Sequence, residues 1–340
     1  MEGLNITELE YRELENISYS LLSSIDRDKH YALKKVFVPS IPTIYGILTE
    51  SILFGDYDKN DYYIFKGDIP TDKLGTACNI IFPKLDISNE KLIDNKDVII
   101  SILTALEIDY FAKREPEWIA DKLIKDSSEY WSEWRLSVGK IRITEDLLKT
   151  AEQASKTLKS HQFTRGIFNS NSFFNVTKQS QVKLTFKFLG KDFKAMLDWL
   201  IIDHDNKVIK PYDLKTGGKT VEEFENSFFY WRYDIQALLY TTAITTLRNE
   251  KYPGYTIDPF RFVYISRLNE YRPLVWTTTK KMMKGTLKGF TMNNVPYKGV
   301  IELIDDYKWY SSNRNVSYPR EVYEASGEII INDNIIINEN

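Results

Sequence analysis

Asp198, Asp213 and Lys215 are the side chains whose types and spacing best suit catalysis. Between the two aspartates runs Asp203-His204-Asp205-Asn206, a set of turn formers separating two apolar stretches, which reads as a β-hairpin. A two-residue turn at Asp205-Asn206 pairs residues whose numbers sum to 411, so Asp198 faces Asp213. Cross-strand partners project from one side of a sheet with Cβ atoms about 5 Å apart, and Lys215, two residues on, shares that side. Two carboxylates that close repel by about 3 kcal/mol at an effective dielectric near 20, so a proton, the lysine or a cation must sit between them. A hard divalent ion such as Mg2+ meets that need and leaves coordination positions open for a phosphate. The plainer alternative is a salt-bridged solvent face, worth at most about 1 kcal/mol. Against it stand the apolar neighbours Met196, Leu197, Trp199, Leu200, Ile201, Ile202, Pro211, Tyr212 and Leu214, which imply strands buried on at least one side.

Downstream, Arg232, Gln236 and Tyr240 recur every four residues along a helix expected over about 220–249. Steps of four drift by only about 40°, so the three would share one stripe, while Ile235, Leu238, Leu239, Thr242 and Ala243 face the core. Guanidinium, amide and phenol donors in a line suit a phosphodiester backbone; a solvated polar face is the alternative.

The elements that must carry these residues follow from periodicity. The opening to about residue 33 reads helical, and Ser40-Ile-Pro-Thr precedes a helical pattern (Ile44, Ile47, Leu48, Ile52, Leu53) that carries Glu50. Residues 56–139 mix short strand-like and helical runs and read as an inserted, partly helical lobe. Thr144 is placed to cap a long helix with apolar positions from Leu147 to Leu158. From about 172 the pattern turns to period two, giving a three-strand meander divided at Leu189-Gly190 and at the 203–206 turn. Further strands are expected near 261–267 and 273–277. The expected class is α/β, of α+β character: a mixed sheet flanked by helices, forming a single domain over 1–325, with 326–340 a tail or added edge strand.

Composition bounds the rest. The chain has 340 residues, 43% hydrophobic and 27% charged, with a mean hydropathy of -0.37, values of an ordinary globular protein. No apolar run approaches the roughly 18–20 residues of a membrane span, and the opening residues lack a signal peptide's basic and apolar regions, so a cytoplasmic location away from membranes is expected. The single Cys78 excludes an internal disulfide, a Cys-ligated zinc and a four-Cys iron–sulfur cluster, so any metal must be held by oxygen. His30, His161 and His204 do not cluster, and no Walker-type phosphate loop is present. Net charge is -3, but 153–191 holds seven basic residues and 271–301 six, neither with an acidic one, which leaves 32 basic against 48 acidic elsewhere. A polyanion could lie along those segments, because local field and counterion release depend on the patch; two solvated basic faces are the alternative.

The order Glu50, Leu197-Asp198, Asp213-Leu214-Lys215-Thr216 and Gln236-Ala-Leu-Leu-Tyr240 resembles the PD-(D/E)xK nuclease superfamily. More narrowly, it resembles the branch with a Gln-x-x-x-Tyr helix motif, which includes RecB-type nuclease domains, lambda-type phage exonucleases and exonuclease VIII (RecE) nucleases. Tyr45-Gly46 with Glu50 and Phe54, the stretch from Leu148 to His161, and Tyr233-Asp-Ile-Gln236 are similar to that group's subsidiary motifs. The likeness spans about 18–276 and covers 56–139 poorly. It implies a restriction-endonuclease-like mixed sheet. It implies Glu50, Asp198 and Asp213, with the Leu214 carbonyl, as ligands of one or two Mg2+ or Mn2+ ions. Lys215 would orient the attacking water and offset charge on the phosphate. Gln236 and Tyr240 would hold DNA near the cut, with Arg232 added by helical spacing.

The expected activity is hydrolysis of DNA phosphodiester bonds, as an exonuclease processing DNA ends for phage-type recombination or repair. A structure- or site-specific endonuclease of the same fold and a non-cleaving DNA-binding protein are the alternatives. Aromatics such as Phe173 and Phe174 are candidates for stacking on unpaired bases, with core packing the commoner role. The resemblance also admits a homo-oligomer around DNA and a single-strand annealing or recombination partner, though no segment reads as a subunit interface. If the chain is phage-encoded, its compartment is the host cytoplasm.

Overall fold

The computed structural model of the chain describes residues 3–29, 32–33, 40–67, 69–70, 72–106, 114–169, 175–268 and 271–328. His30, Phe173, Phe174 and most of the expected C-terminal tail lie outside the described residues. Two compact units result: residues 43–153 form one, and residues 1–42 with 154–340 form the other.

The chain opens with α1 (Glu8–Glu13) and α2 (Tyr19–Asp28). Thr7 and Glu10 form a capping box on α1, and the Ser18 hydroxyl caps α2, so Ser/Thr side chains satisfy the free N–H groups where each helix starts. Next come α3 (Ile41–Phe54), β1 (Tyr62–Phe65), α4 (Asp72–Ile81), α5 (Lys96–Leu106), α6 (Pro116–Leu136) and β2 (Ile141–Thr144). Strands β1 and β2 pair in parallel. The core of unit 43–153 is strongly aromatic: Phe82 stands edge-on to Trp131 and Trp134 at 5.1 and 5.5 Å. Cys78 is buried in that core, where burial pushes its thiol up to about 11, so it is a packing residue. The compact unit is wider than the expected 56–139 lobe, because it also takes in most of α3 and the opening turns of α7 (Glu145–Ser160). Thr144 caps α7 as expected, its Oγ1 accepting the Leu147 N–H at 3.1 Å.

After α8 (Arg165–Phe168) the sheet begins with β3 (Val176–Phe188), β4 (Lys191–Asp203) and β5 (Val208–Gly217). Alternation builds β3: Val182, Leu184 and Phe186 are buried, whereas Lys183, Thr185 and Lys187 are not. Leu189 and Gly190, with φ of 48° and 70°, make the tight β3–β4 turn. Then follow α9 (Phe224–Tyr230), α10 (Tyr233–Lys251), β6 (Thr256–Ile257), β7 (Arg261–Ser266) and β8 (Leu274–Thr277). The sheet order is β3-β4-β5-β7-β8, with β6 also on β5. β3, β4 and β5 form an antiparallel meander, β7 joins β5 in parallel, and β8 returns antiparallel on β7. The crossover from β5 to β7 runs through α10, as parallel neighbours require. α11 (Lys280–Lys288), the β9 (Phe290–Met292) and β10 (Val295–Tyr297) hairpin, α12 (Val300–Ser312) and α13 (Arg320–Glu324) complete the chain. The class is mixed α/β, and the core of this unit lies between one sheet face (Leu197, Leu200, Ile202, Ile209, Phe262) and α10 (Ile235, Leu239, Ala243).

One expectation fails. The helix foreseen over 220–249 is two helices, broken where Arg232 takes a left-handed backbone, φ 57° and ψ 40°. No helix among the described residues is long and apolar enough to cross a membrane.

Candidate active site

The β4–β5 hairpin has the expected register: Trp199 pairs with Tyr212, Leu200 with Pro211, and Asp203 with Val208. The loop is four residues rather than two, but it grew by one on each side, so the sum of paired numbers is unchanged. The ladder stops at Trp199 and Tyr212, one step before Asp198 and Asp213. On the other flank of Asp198, Gln181 has a left-handed φ of 50° and drops out of the β3–β4 ladder between the pairs Ser180–Trp199 and Val182–Leu197. Such strain in a non-glycine residue costs of order 1–3 kcal/mol and is characteristic of functional positions. The sheet is therefore opened on both sides of Asp198. Its carboxylate fills part of that gap, Oδ2 accepting the Leu214 N–H at 2.8 Å.

Asp213 is 1% exposed. Its Oδ1 accepts from Gln236 Nε2 at 2.6 Å, which ties β5 to α10. Its Oδ2 meets the Lys215 ammonium, at 2.5 Å. The Gln236 Oε1, also buried, has no donor among the described residues. Lys215 Nζ stands over the rings of Tyr233 and Phe262, at 4.6 and 5.9 Å from their centroids. Burial alone would lower the lysine, but the charge of Asp213, reinforced by Tyr233, Asp198 and Tyr19, overrides it and holds the ammonium well above the ordinary lysine range. Lys215 is thus a donor and a positive charge near neutral pH. Burial likewise raises the phenols of Tyr233 and Tyr240, so both remain protonated.

Asp198, Asp213, Lys215, Gln236 and Tyr240 therefore belong to one buried neighbourhood. Among the described residues Gln236 Oε1, buried without a donor, and Asp213 Oδ2, held by the Lys215 ammonium, stand beside a second carboxylate and form a hard-oxygen donor set of the kind Mg2+ takes while keeping some waters. The residues present fit such an ion. Leu214 contributes its N–H to Asp198 and is itself buried. Glu50 stands half-buried on α3, a helix that belongs almost wholly to the other unit. Among the described residues no three His, Cys, Asp or Glu side chains are gathered into a ready metal cage.

Arg232 corrects the sequence reading. It is 1% exposed and precedes α10 in place of lying on its stripe. Nε and Nη2 donate to Asp234 at 3.1 and 3.2 Å, Nη1 bonds Asp26, and Nη2 also reaches the Lys298 carbonyl at 2.8 Å. A guanidinium so occupied anchors the helix break and has no edge left for a phosphate. Gln236 is similarly turned inward, so it positions Asp213 and does not lie on an open surface. Tyr19 and Gln181 were not foreseen: neither shows a motif, and each reaches the site through packing or a local backbone kink.

The basic segments divide. Lys178 and Lys183 donate to the carbonyls of Asn169 and Ile6, and Lys298 is paired with Asp306, Glu321 and Glu302. On α11, by contrast, Lys280, Lys281, Lys284 and Lys288 are all exposed. His204 is half-buried between Thr177 and Tyr255, at 2.8 and 3.1 Å, and belongs to the hairpin, not to the site.

No family model matches the chain, and no curated protein does. A solved structure similar to it is that of "Putative exonuclease" from Eubacterium rectale, 13% identical, with a TM-score of 0.49 over 97% of this chain and 96% of that one.

Proposed function

We propose that the chain is a metal-dependent deoxyribonuclease of the PD-(D/E)xK type, hydrolysing DNA phosphodiester bonds and acting at DNA ends. The observation that carries this reading is the buried Asp213, its two oxygens held by Gln236 and the Lys215 ammonium, next to an Asp198 held where two strand ladders part. A purely structural salt bridge between Asp213 and Lys215 would not need a second carboxylate beside it.

In this reading Asp198 and Asp213, with the Leu214 carbonyl, would hold one or two Mg2+ or Mn2+ ions. A bound ion of this kind lowers the pKa of a coordinated water and offsets charge on the phosphate. Gln236 fixes the Asp213 carboxylate through Oδ1 and so leaves Oδ2 directed at the site. The Lys215 ammonium, steadied by the Tyr233 and Phe262 rings, donates to a phosphate oxygen as negative charge builds up, and orients the attacking water. Tyr240, buried on α10 within the electrostatic reach of Asp213 and Asp198, stays protonated. The exposed α11 lysines supply positive charge for the backbone of the strand.

The deciding experiment compares wild type with Asp213→Ala on linear and closed-circular DNA, with Mg2+ and with EDTA. The expected result is Mg2+-dependent loss of linear DNA by wild type alone, with the Asp213→Ala rate at least about a hundredfold lower. Equal cleavage by both proteins removes the assignment. Cleavage of closed circles would make the enzyme an endonuclease.

A further inference from the structure

We infer that Tyr230, Trp231 and Arg27 form a stacking platform for an unpaired base of single-stranded DNA leading into the Asp213–Lys215 site. This inference rests on the nuclease reading above and names the form of substrate that site receives.

The platform follows from the helix break. Arg232 turns inward to Asp26 and Asp234, and the two residues before it are left on the outside. Tyr230 is 63% and Trp231 42% exposed, their rings 4.8 Å apart and perpendicular. The exposed Arg27 guanidinium lies over the indole, 4.6 Å from its centroid, so a cation able to take a phosphate sits on the same ring that could take a base. Large aromatics exposed together with a cation combine the two features that grip unpaired strands, since every base offers a π-face and every linkage a charge.

One line of contact joins the platform to the site. The Trp231 carbonyl accepts from Tyr19 Oη at 3.0 Å and from Ser23 Oγ at 2.9 Å. The Tyr19 ring stands 6.3 Å from that of Tyr233, which lies under the Lys215 ammonium. Charge continues past it as well. Phe229, next to Tyr230, packs on Phe290 at 5.9 Å, immediately beyond α11 with its exposed lysines. A strand crossing Trp231 would meet the Arg27 guanidinium on the indole, and the contacts through Tyr19 and Tyr233 lead from there to the Lys215 ammonium. Duplex DNA, whose bases are stacked on one another, has no free face to offer the pair.

The test measures binding without cleavage. Fluorescence anisotropy in EDTA compares a labelled oligothymidylate with an abasic strand of equal length, for wild type and for Tyr230→Ala/Trp231→Ala. Wild type should prefer the base-bearing strand by about tenfold. The double variant should lose that preference and bind the abasic strand as wild type does. Trp231→Phe, which keeps a ring, should retain most of the preference, so a folding defect in the double variant cannot imitate the result. Equal binding of both strands by wild type overturns the platform, and so does a preference that survives in the double variant. A change of oligomeric state in that variant, with strand preference intact, also overturns it and assigns the aromatics to a protein contact. Mg2+-dependent cleavage is scored separately: preference without cleavage removes the nuclease reading and leaves the platform, while cleavage without preference does the reverse.

Discussion

Replacing Lys215 by methionine separates a metal site from an ordinary ion pair through stability alone. Methionine keeps the unbranched stem over Tyr233 and Phe262 and removes only the charge. The lysine side chain is 18% and the aspartate 1% exposed, with 2.5 Å between Nζ and Oδ2. Removing one partner of a pair this deep costs about 3–5 kcal/mol, because the remaining charge is stranded. Here two carboxylates remain, and their mutual repulsion adds to the loss. In EDTA the urea midpoint of Lys215→Met should therefore fall by the equivalent of about 3 kcal/mol or more. Any cation that binds only the native state returns RT ln(1 + [L]/Kd), about 2.7 kcal/mol at a hundredfold excess over Kd. Excess Mg2+ should then restore most of the stability of Lys215→Met. It should restore none to Lys215→Met/Asp213→Asn, which starts out more stable than Lys215→Met in EDTA because one of the stranded charges is gone. A Lys215→Met protein within about 1 kcal/mol of wild type in EDTA, or one that Mg2+ does not stabilise, would refute the reasoning about the site, whatever the enzyme assay reports.

Arg232→Met should cost about 3–5 kcal/mol in urea unfolding, since it strands Asp234 and Asp26. The same substitution should leave the affinity of the folded protein for an abasic strand within about twofold, weakening only the base-dependent part through the helix break; a much larger loss on the abasic strand would return Arg232 to the phosphate contacts. Asp203 gives a pH signature. Lys210 first, then Asn206, hold its carboxyl at about 2 from an ordinary 3.8. A depressed carboxylate contributes stability that is present above its unfolded pKa and lost as pH falls through the folded one. Wild type should lose that contribution between about pH 4 and 2, and Asp203→Asn should show a shallower acid limb in a pH series of thermal melts.

What was legible in the sequence divides by the range of the interaction that fixes it. The facing of Asp198 and Asp213 was legible because strand pairing obeys parity: a symmetric loop can lengthen by two without moving a single side chain to the other face. Lys215 then followed from the same period of two. The end of the ladder at Trp199 and Tyr212 was not legible, since no turn former or glycine marks it and the parallel partner that takes over along β5, β7, comes only after α10 in the chain. Gln181 was hidden for a simpler reason: a left-handed backbone at a glutamine has no glycine or asparagine to announce it.

Arg232 shows the limit most clearly. A spacing of four is good evidence for a shared stripe only if the helix is continuous, and continuity here is decided by an aspartate 206 residues away. Propensity over 220–249 favours an unbroken helix, because a left-handed arginine costs energy locally. A buried guanidinium bound to two carboxylates and a carbonyl offsets that cost. The break also moves function: it takes the arginine out of the proposed DNA surface and puts Tyr230 and Trp231 on it. The segment that sequence spacing assigned to gripping phosphate through one side chain therefore presents two aromatic faces and the guanidinium of Arg27. Strand binding there should fall on loss of the rings at 230 and 231, whereas loss of the arginine at 232 should act only through the break it anchors.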